Sequence, residues 1–120
     1  MICYLDDDLD SGHLIKLGAA HGHVFVSPRA VGTSGQHDAR HLLYAALHGY
    51  PILSRNAGDY QSLHALVVGV GGHHCGVIGV FDEKDFRKNM RPDQIVHALS
   101  KLESAAVKLA DQLIALNHYR

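Results

Sequence analysis

Apolar residues follow two alternating rhythms along this chain. Ile2-Cys3-Tyr4-Leu5, His23 to Ser27, Pro51 to Ser54 and Cys75 to Phe81 are short apolar stretches with the length and composition of buried strands. Between them the spacing turns helical. Leu14, Ile15, Leu17 and Ala20 predict a helix over 10–21 that Gly22 can stop. Ala39, Leu42, Leu43, Ala46 and Leu47 sit at i, i+3, i+4, i+7 and i+8, which predicts a helix over 37–48 ended by Gly49. A shorter helix is expected around Tyr60 to Leu66, within 57–68. Residues 29–36 read as loop, and Gly69, Gly71 and Gly72 as a flexible link.

The last quarter of the chain repeats differently. Pro92 suits a first helical turn, and Ile95, Leu99, Leu102, Ala106, Leu109, Leu113 and Leu116 then recur in steps of 4 and 3, a heptad seam. The pattern predicts one helix over 92–118, roughly 40 Å long at ~1.5 Å per residue. A four-stranded sheet of short strands cannot cover that length. The outer half is therefore expected to pack on the same helix of a second chain, giving a homodimer.

Strands alternating with helices predict an α/β fold: a three-layer sandwich around a four-stranded, mainly parallel sheet with right-handed crossovers. In such sheets the ligand site lies beyond the carboxyl ends of the strands. Asp6 ends the first strand, Ser54 ends the third, and Asp38 opens the helix that feeds the third. Asn56 and Asp59 follow directly, so the topology draws these positions to one edge of the sheet. Gathered carboxylates repel one another and persist mainly where a cation offsets them or their chemistry is needed.

Composition narrows the class. At 120 residues, with 47% apolar and 19% charged residues, the chain predicts a single globular domain, 1–120, with a real core. A net charge of -1 lacks the basic balance that non-specific nucleic-acid binding usually leaves. Cys3 and Cys75 lie in apolar stretches and read as free thiols of a reducing compartment. Neither a signal peptide nor an apolar run of ~20 residues is evident, which predicts a cytoplasmic protein with no membrane span.

Plainer readings exist for several of these residues. Asp8 and Asp10 can cap the following helix, and Asn56 and Asp59 can be turn residues. Of the 11 histidines, His37 and His41 are spaced to ligate a metal from one helix face, but the helical wheel places both opposite the apolar face, in solvent. His74 directly precedes a strand.

The order and spacing of these motifs over about residues 1–100 resemble the short bacterial branch of the PIN-like domains. The matching stretches are Tyr4-Leu5-Asp6-Asp7-Asp8-Leu9, Gly22-His23-Val24, the helix from Asp38 to Ala45, Ser54-Arg55-Asn56-Ala57-Gly58-Asp59-Tyr60, and His74-Cys75-Gly76-Val77-Ile78. The resemblance implies a Mg²⁺- or Mn²⁺-dependent ribonuclease related to VapC-type toxins, with RNA as substrate and an antitoxin protein as partner. It implies that Asp6, Asp38 and Asp59 are the catalytic, metal-holding carboxylates. Ser54 and Asn56 would orient a carboxylate or the attacking water, with Asp7 in support, and Arg55 would contact substrate phosphate. Lys84, Arg87, Lys88 and Arg91 form a charged loop that either contacts RNA or is simply solvated.

The chain departs from the larger PIN nucleases. No acid lies between Asp10 and Asp38, Ser54 replaces a Thr, and Asn56 stands where Asp is frequent. These departures leave open a second class, a catalytically weak interaction module that assembles through its C-terminal helix. A phosphoacceptor receiver ranks below both, because the third strand does not end in Asp.

Overall fold

The computed structural model describes residues 1–120. In chain order the strands and α-helices are β1 (Ile2–Leu5), α1 (Gly12–Ala20), β2 (Val24–Val26), α2 (Pro28–Val31), α3 (Asp38–His48), β3 (Ile52–Ser54), α4 (Ala57–Gly69), β4 (Val77–Gly79), α5 (Pro92–Ser104) and β5 (Leu113–Ala115). The five strands form one parallel sheet in the order β2-β1-β3-β4-β5.

Side chains alternate across a strand, so each strand feeds two cores. Cys3, Leu5, Leu53 and Ile78 face one layer, where they are buried with Leu14 of α1 and Ile95, Leu99 and Leu102 of α5. Tyr4, Ile52 and Val77 face the other, against Leu42 and Ala45 of α3 and Tyr60 of α4. The helices have ordinary local causes. The Ser11 hydroxyl caps α1 by accepting from the Leu14 N–H at 3.1 Å. Gly49, at φ 77°, ends α3 in the left-handed conformation that glycine adopts most readily. Pro92 opens α5, and the Gln94 side chain accepts from the Arg91 N–H at 2.9 Å.

The α/β class and the parallel sheet match the sequence expectation. The strand count and the C-terminus do not. There are five strands, and the helix expected over 92–118 ends at Ser104. Ala106 takes φ 52° and Asp111 φ 60°, and the chain turns back to lay β5 against β4, with Val77, Ile78 and Gly79 opposite Leu113, Ile114 and Ala115. The heptad residues are thus divided between elements. Ile95, Leu99 and Leu102 bury in the chain's own core, Leu113 lies in the edge strand, and Leu116 is fully buried behind it. No long seam remains to pair two chains. Residues 29–31, expected as part of a loop, instead belong with Pro28 to the short helix α2. No helix is long and apolar enough to cross a membrane.

Candidate acidic site

The strand order reverses direction between β1 and β3: the chain steps outward to β2 on one side and to β4 and β5 on the other. Loops leaving the carboxyl ends of two such strands diverge and leave a crevice, where open α/β sheets place their ligands. Asp6 and Ser54 stand at this point. The Asp6 N–H donates to the Leu53 carbonyl at 3.0 Å, which extends the β1–β3 ladder by one residue and fixes the carboxylate beside Ser54.

Asp6 is only 3% exposed. Its two oxygens accept from the Ser54 hydroxyl at 2.8 Å and the Tyr60 hydroxyl at 3.0 Å. Burial, and then the nearby Asp6 charge, push the Tyr60 hydroxyl far above its ordinary value, so it stays protonated and donates. Ser54 joins this pair to a second group, because its oxygen also accepts from the Asn56 N–H at 2.9 Å. The Asn56 side-chain amide then bridges two carboxylates, donating to Asp38 at 3.1 Å and to Asp59 at 2.9 Å. Asp38 opens α3 and Asp59 lies in the first turn of α4, so two helix amino ends converge on one amide.

The charges here are mutually unfavourable. The Asp38 carboxyl is raised above its ordinary range by burial first, then by Asp6 and Asp59. Asp8, in the turn after β1, is pushed up to about 6 by burial and then by Asp6, against the opposing pull of Arg55. The Arg55 N–H donates to Asp8 at 3.4 Å. The donors are hard oxygens of the kind Mg²⁺ and Mn²⁺ prefer, and the repulsion among them is what a cation relieves, so the residues present fit such an ion. No three Asp, Glu, His or Cys side chains are arranged as a ready-made ligand group.

The structure thus brings Asp38, Asn56 and Asp59 into direct contact and ties them through Ser54 to Asp6. Asp7 points elsewhere. Its carboxylate accepts from His41 Nε2 at 2.9 Å and from the Gly35 N–H at 3.0 Å, which holds the loop before α3. His41, expected in solvent, is 1% exposed, and its Nδ1 lies 2.6 Å from the Tyr4 hydroxyl. The helical wheel missed this because α3 is rotated from the face its apolar residues suggest: His41, Leu42 and Ala45 turn inward, while Leu43 and Leu47 are exposed. His37 is exposed, as expected. Arg55 is half-buried; its guanidinium donates to the Met90 carbonyl at 2.9 Å and lies 3.8 Å from Asp82. In the charged loop Arg87 pairs with Asp85 at 3.0 Å, and Arg91 pairs with Asp93 at 3.3 Å.

Reading the sequence missed two members of the site, Asp8 and Tyr60. A hydroxyl-bearing residue directly after Asp59 was the available signal for Tyr60. Asp10, read as a cap, instead accepts from the Ser27 hydroxyl at 2.7 Å and pairs with Arg29 at 3.1 Å.

No protein family, curated protein or solved structure matches the chain.

Proposed function

We propose that this chain is a PIN-like phosphodiesterase that hydrolyses RNA and depends on Mg²⁺ or Mn²⁺ held at the acidic site. The observation that carries the reading is the set of mutually repelling carboxylates at the β1/β3 reversal, with Asp8 and Asp38 both raised in part by Asp6. Asp6, Asp38 and Asp59 are the residues assigned to the ion, with Asp8 available beside them. When bound, the ion supplies Lewis-acid polarisation of a phosphate and a more acidic water. The protein's own part is orientation. Ser54 and Tyr60 hold the Asp6 carboxylate in one rotamer, while Asn56 keeps Asp38 and Asp59 together despite their repulsion. The amide nitrogen thereby supplies partial positive charge between the two carboxylates, the role a cation takes over. Arg55 is the residue assigned to substrate phosphate; its backbone N–H lies against Asp8, while its guanidinium rests on the Met90 carbonyl and near Asp82. The same resemblance extends the reading to a toxin restrained by an antitoxin protein, which expression-induced growth arrest would reveal.

The test is cleavage of single-stranded RNA by the purified chain with Mn²⁺, alongside calorimetric Mn²⁺ titration. The expected outcome is Mn²⁺-dependent cleavage that is abolished in Asp6→Asn and reduced at least tenfold in Asp38→Asn, with ion binding weakened in both. Cleavage that survives chelator, or survives Asp6→Asn, overturns the mechanism. Saturable Mn²⁺ binding without cleavage favours the interaction-module reading.

A further inference from the structure

From His41 to Ser54, and again from Tyr60 to Phe81, the sequence contains no Asp, Glu, Lys or Arg. These stretches hold all of α3 and α4 beyond their first turns, and the two helices form one outer layer of the sandwich. The opposite layer is ordinary by comparison, with Lys16 on α1 and Asp93, Lys101 and Glu103 on α5. The uncharged layer is nonetheless open to solvent. Leu47 is 74% exposed, Leu66 62% and Val70 74%, with Leu43 and Val68 also outside the core. Most of the molecule's exposed large apolar side chains stand here. Between the ridges formed by α3 and α4 runs an apolar slot of about 240 Å³, floored by Leu42, Ala46, Leu63 and Val67. Leu43 and Leu66 border the slot, and Leu47 stands one turn from Leu43 on α3, so exposed apolar side chains gather on both helices around it.

We propose that a second copy of this chain covers the α3–α4 layer, forming a two-fold symmetric dimer. Charge selects the occupant. The only Lys or Arg on α3 and α4 is Arg40, in the first turn of α3 beside Leu43 and Leu47, so a charged partner finds a single counter-charge and an anionic membrane surface lacks the cluster of Lys and Arg that holds interfacial helices there. A second copy meets an equally apolar face, with Arg40 at its rim the one basic side chain that the contact must leave in solvent. Shape agrees: the layer is a slot flanked by two apolar ridges, so under a two-fold axis a ridge of each copy can enter the slot of the other. Helices of 11 and 13 residues run about 16 and 20 Å, and two side by side give a footprint of roughly 20 by 20 Å, that of a small interface below the ~800 Å² per partner of a standard one. The proposal is independent of any chemistry at the acidic site, and it places the contact on a different element from the C-terminal seam suggested by the sequence.

Sedimentation equilibrium of the full chain, from low to high micromolar loading, tests it. The wild type is expected to be a dimer. Leu47→Glu and Leu66→Glu are expected to weaken association ~30-fold or more, with far-UV circular dichroism unchanged because both sites are solvent-exposed. Phe86→Glu, at an equally exposed residue on the charged loop, is expected to leave the dimer intact. A wild type that stays monomeric throughout overturns the proposal, as does a dimer that persists in both helix variants. A monomer that floats with lipid vesicles overturns it too, and assigns the layer to a membrane surface.

Discussion

Ser54 connects the two halves of the acidic site, since one hydroxyl both donates to Asp6 and accepts from the Asn56 N–H. Removing it leaves a buried carboxylate short of a donor and a backbone N–H short of an acceptor. Ser54→Ala is therefore expected to destabilise the fold by about 2–3 kcal/mol and Tyr60→Phe by about 2 kcal/mol, measured by urea unfolding. Asp8 behaves in the opposite way. Its folded pKa, about 6, lies above the ordinary value of 3.8, so the folded state binds more protons in that interval and stability falls as pH rises through it. The residue as a whole is exposed although its carboxyl is partly covered beside Asp6, and solvent screening reduces the effect at neutral pH to about 1 kcal/mol. Asp8→Asn should thus raise the melting temperature by about 4 °C at neutral pH and change it little below pH ~4. The sequence exposed Asp6, Asp38, Asn56, Ser54 and Asp59 because each sits at a strand end or helix start, where position follows from topology. It hid Asp8 and the Tyr60 hydroxyl because a carboxylate beside a cap position and a phenol on a core face have stronger ordinary explanations. His41 stayed hidden because its partners, Tyr4 and Asp7, lie far from it in the chain.

At the level of elements, the C-terminal segment shows how periodicity can mislead. Residues 105–116 keep leucines at heptad spacing and good helix formers between them, yet tertiary pairing overrides that preference. The free edge of β4 takes β5, and Leu116 fills the core beside α5. Gly76 recorded this return in the sequence. A Cβ there would lie 3.0 Å from the Leu109 carbonyl oxygen, and φ is 123°. Ala106→Gly separates the two structures by sign. At φ 52° glycine relieves strain and should stabilise by about 0.5–1 kcal/mol, whereas inside a continuous helix it would cost about 1 kcal/mol. The junction of α4 and β4 holds a second element-scale device. His74 Nδ1 accepts from the Gly76 N–H at 3.0 Å, so its Nε2 carries the proton donated to His64 Nδ1 at 2.7 Å. Protonating His74 sets its Nδ1–H against the Gly76 N–H. Burial, then His64, hold His74 below its ordinary 6.5, with Asp111 opposing. The unfolded chain therefore binds more protons below that value, and this contribution to stability, complete above pH ~6.5, declines as pH falls. Denaturation at neutral pH and near pH ~5 should show the loss, and more clearly in Asp8→Asn, where the opposing trend of Asp8 is gone.

For the whole molecule, alternation of short apolar runs with helical spacing sufficed to give the parallel α/β class, and the position of the acidic edge followed from it. The fifth strand escaped because a three-residue edge strand leaves too short an apolar signature to compete with a heptad. The same late strand bears on how the chain is made. A ribosome delivers about 5–20 residues per second, so β1 through α5 emerge while β4 still has an open edge and the α5 core lacks Leu116. Closure of the domain waits for residues 113–116, and a nascent chain stalled before them presents unpaired backbone and apolar side chains to chaperones and proteases.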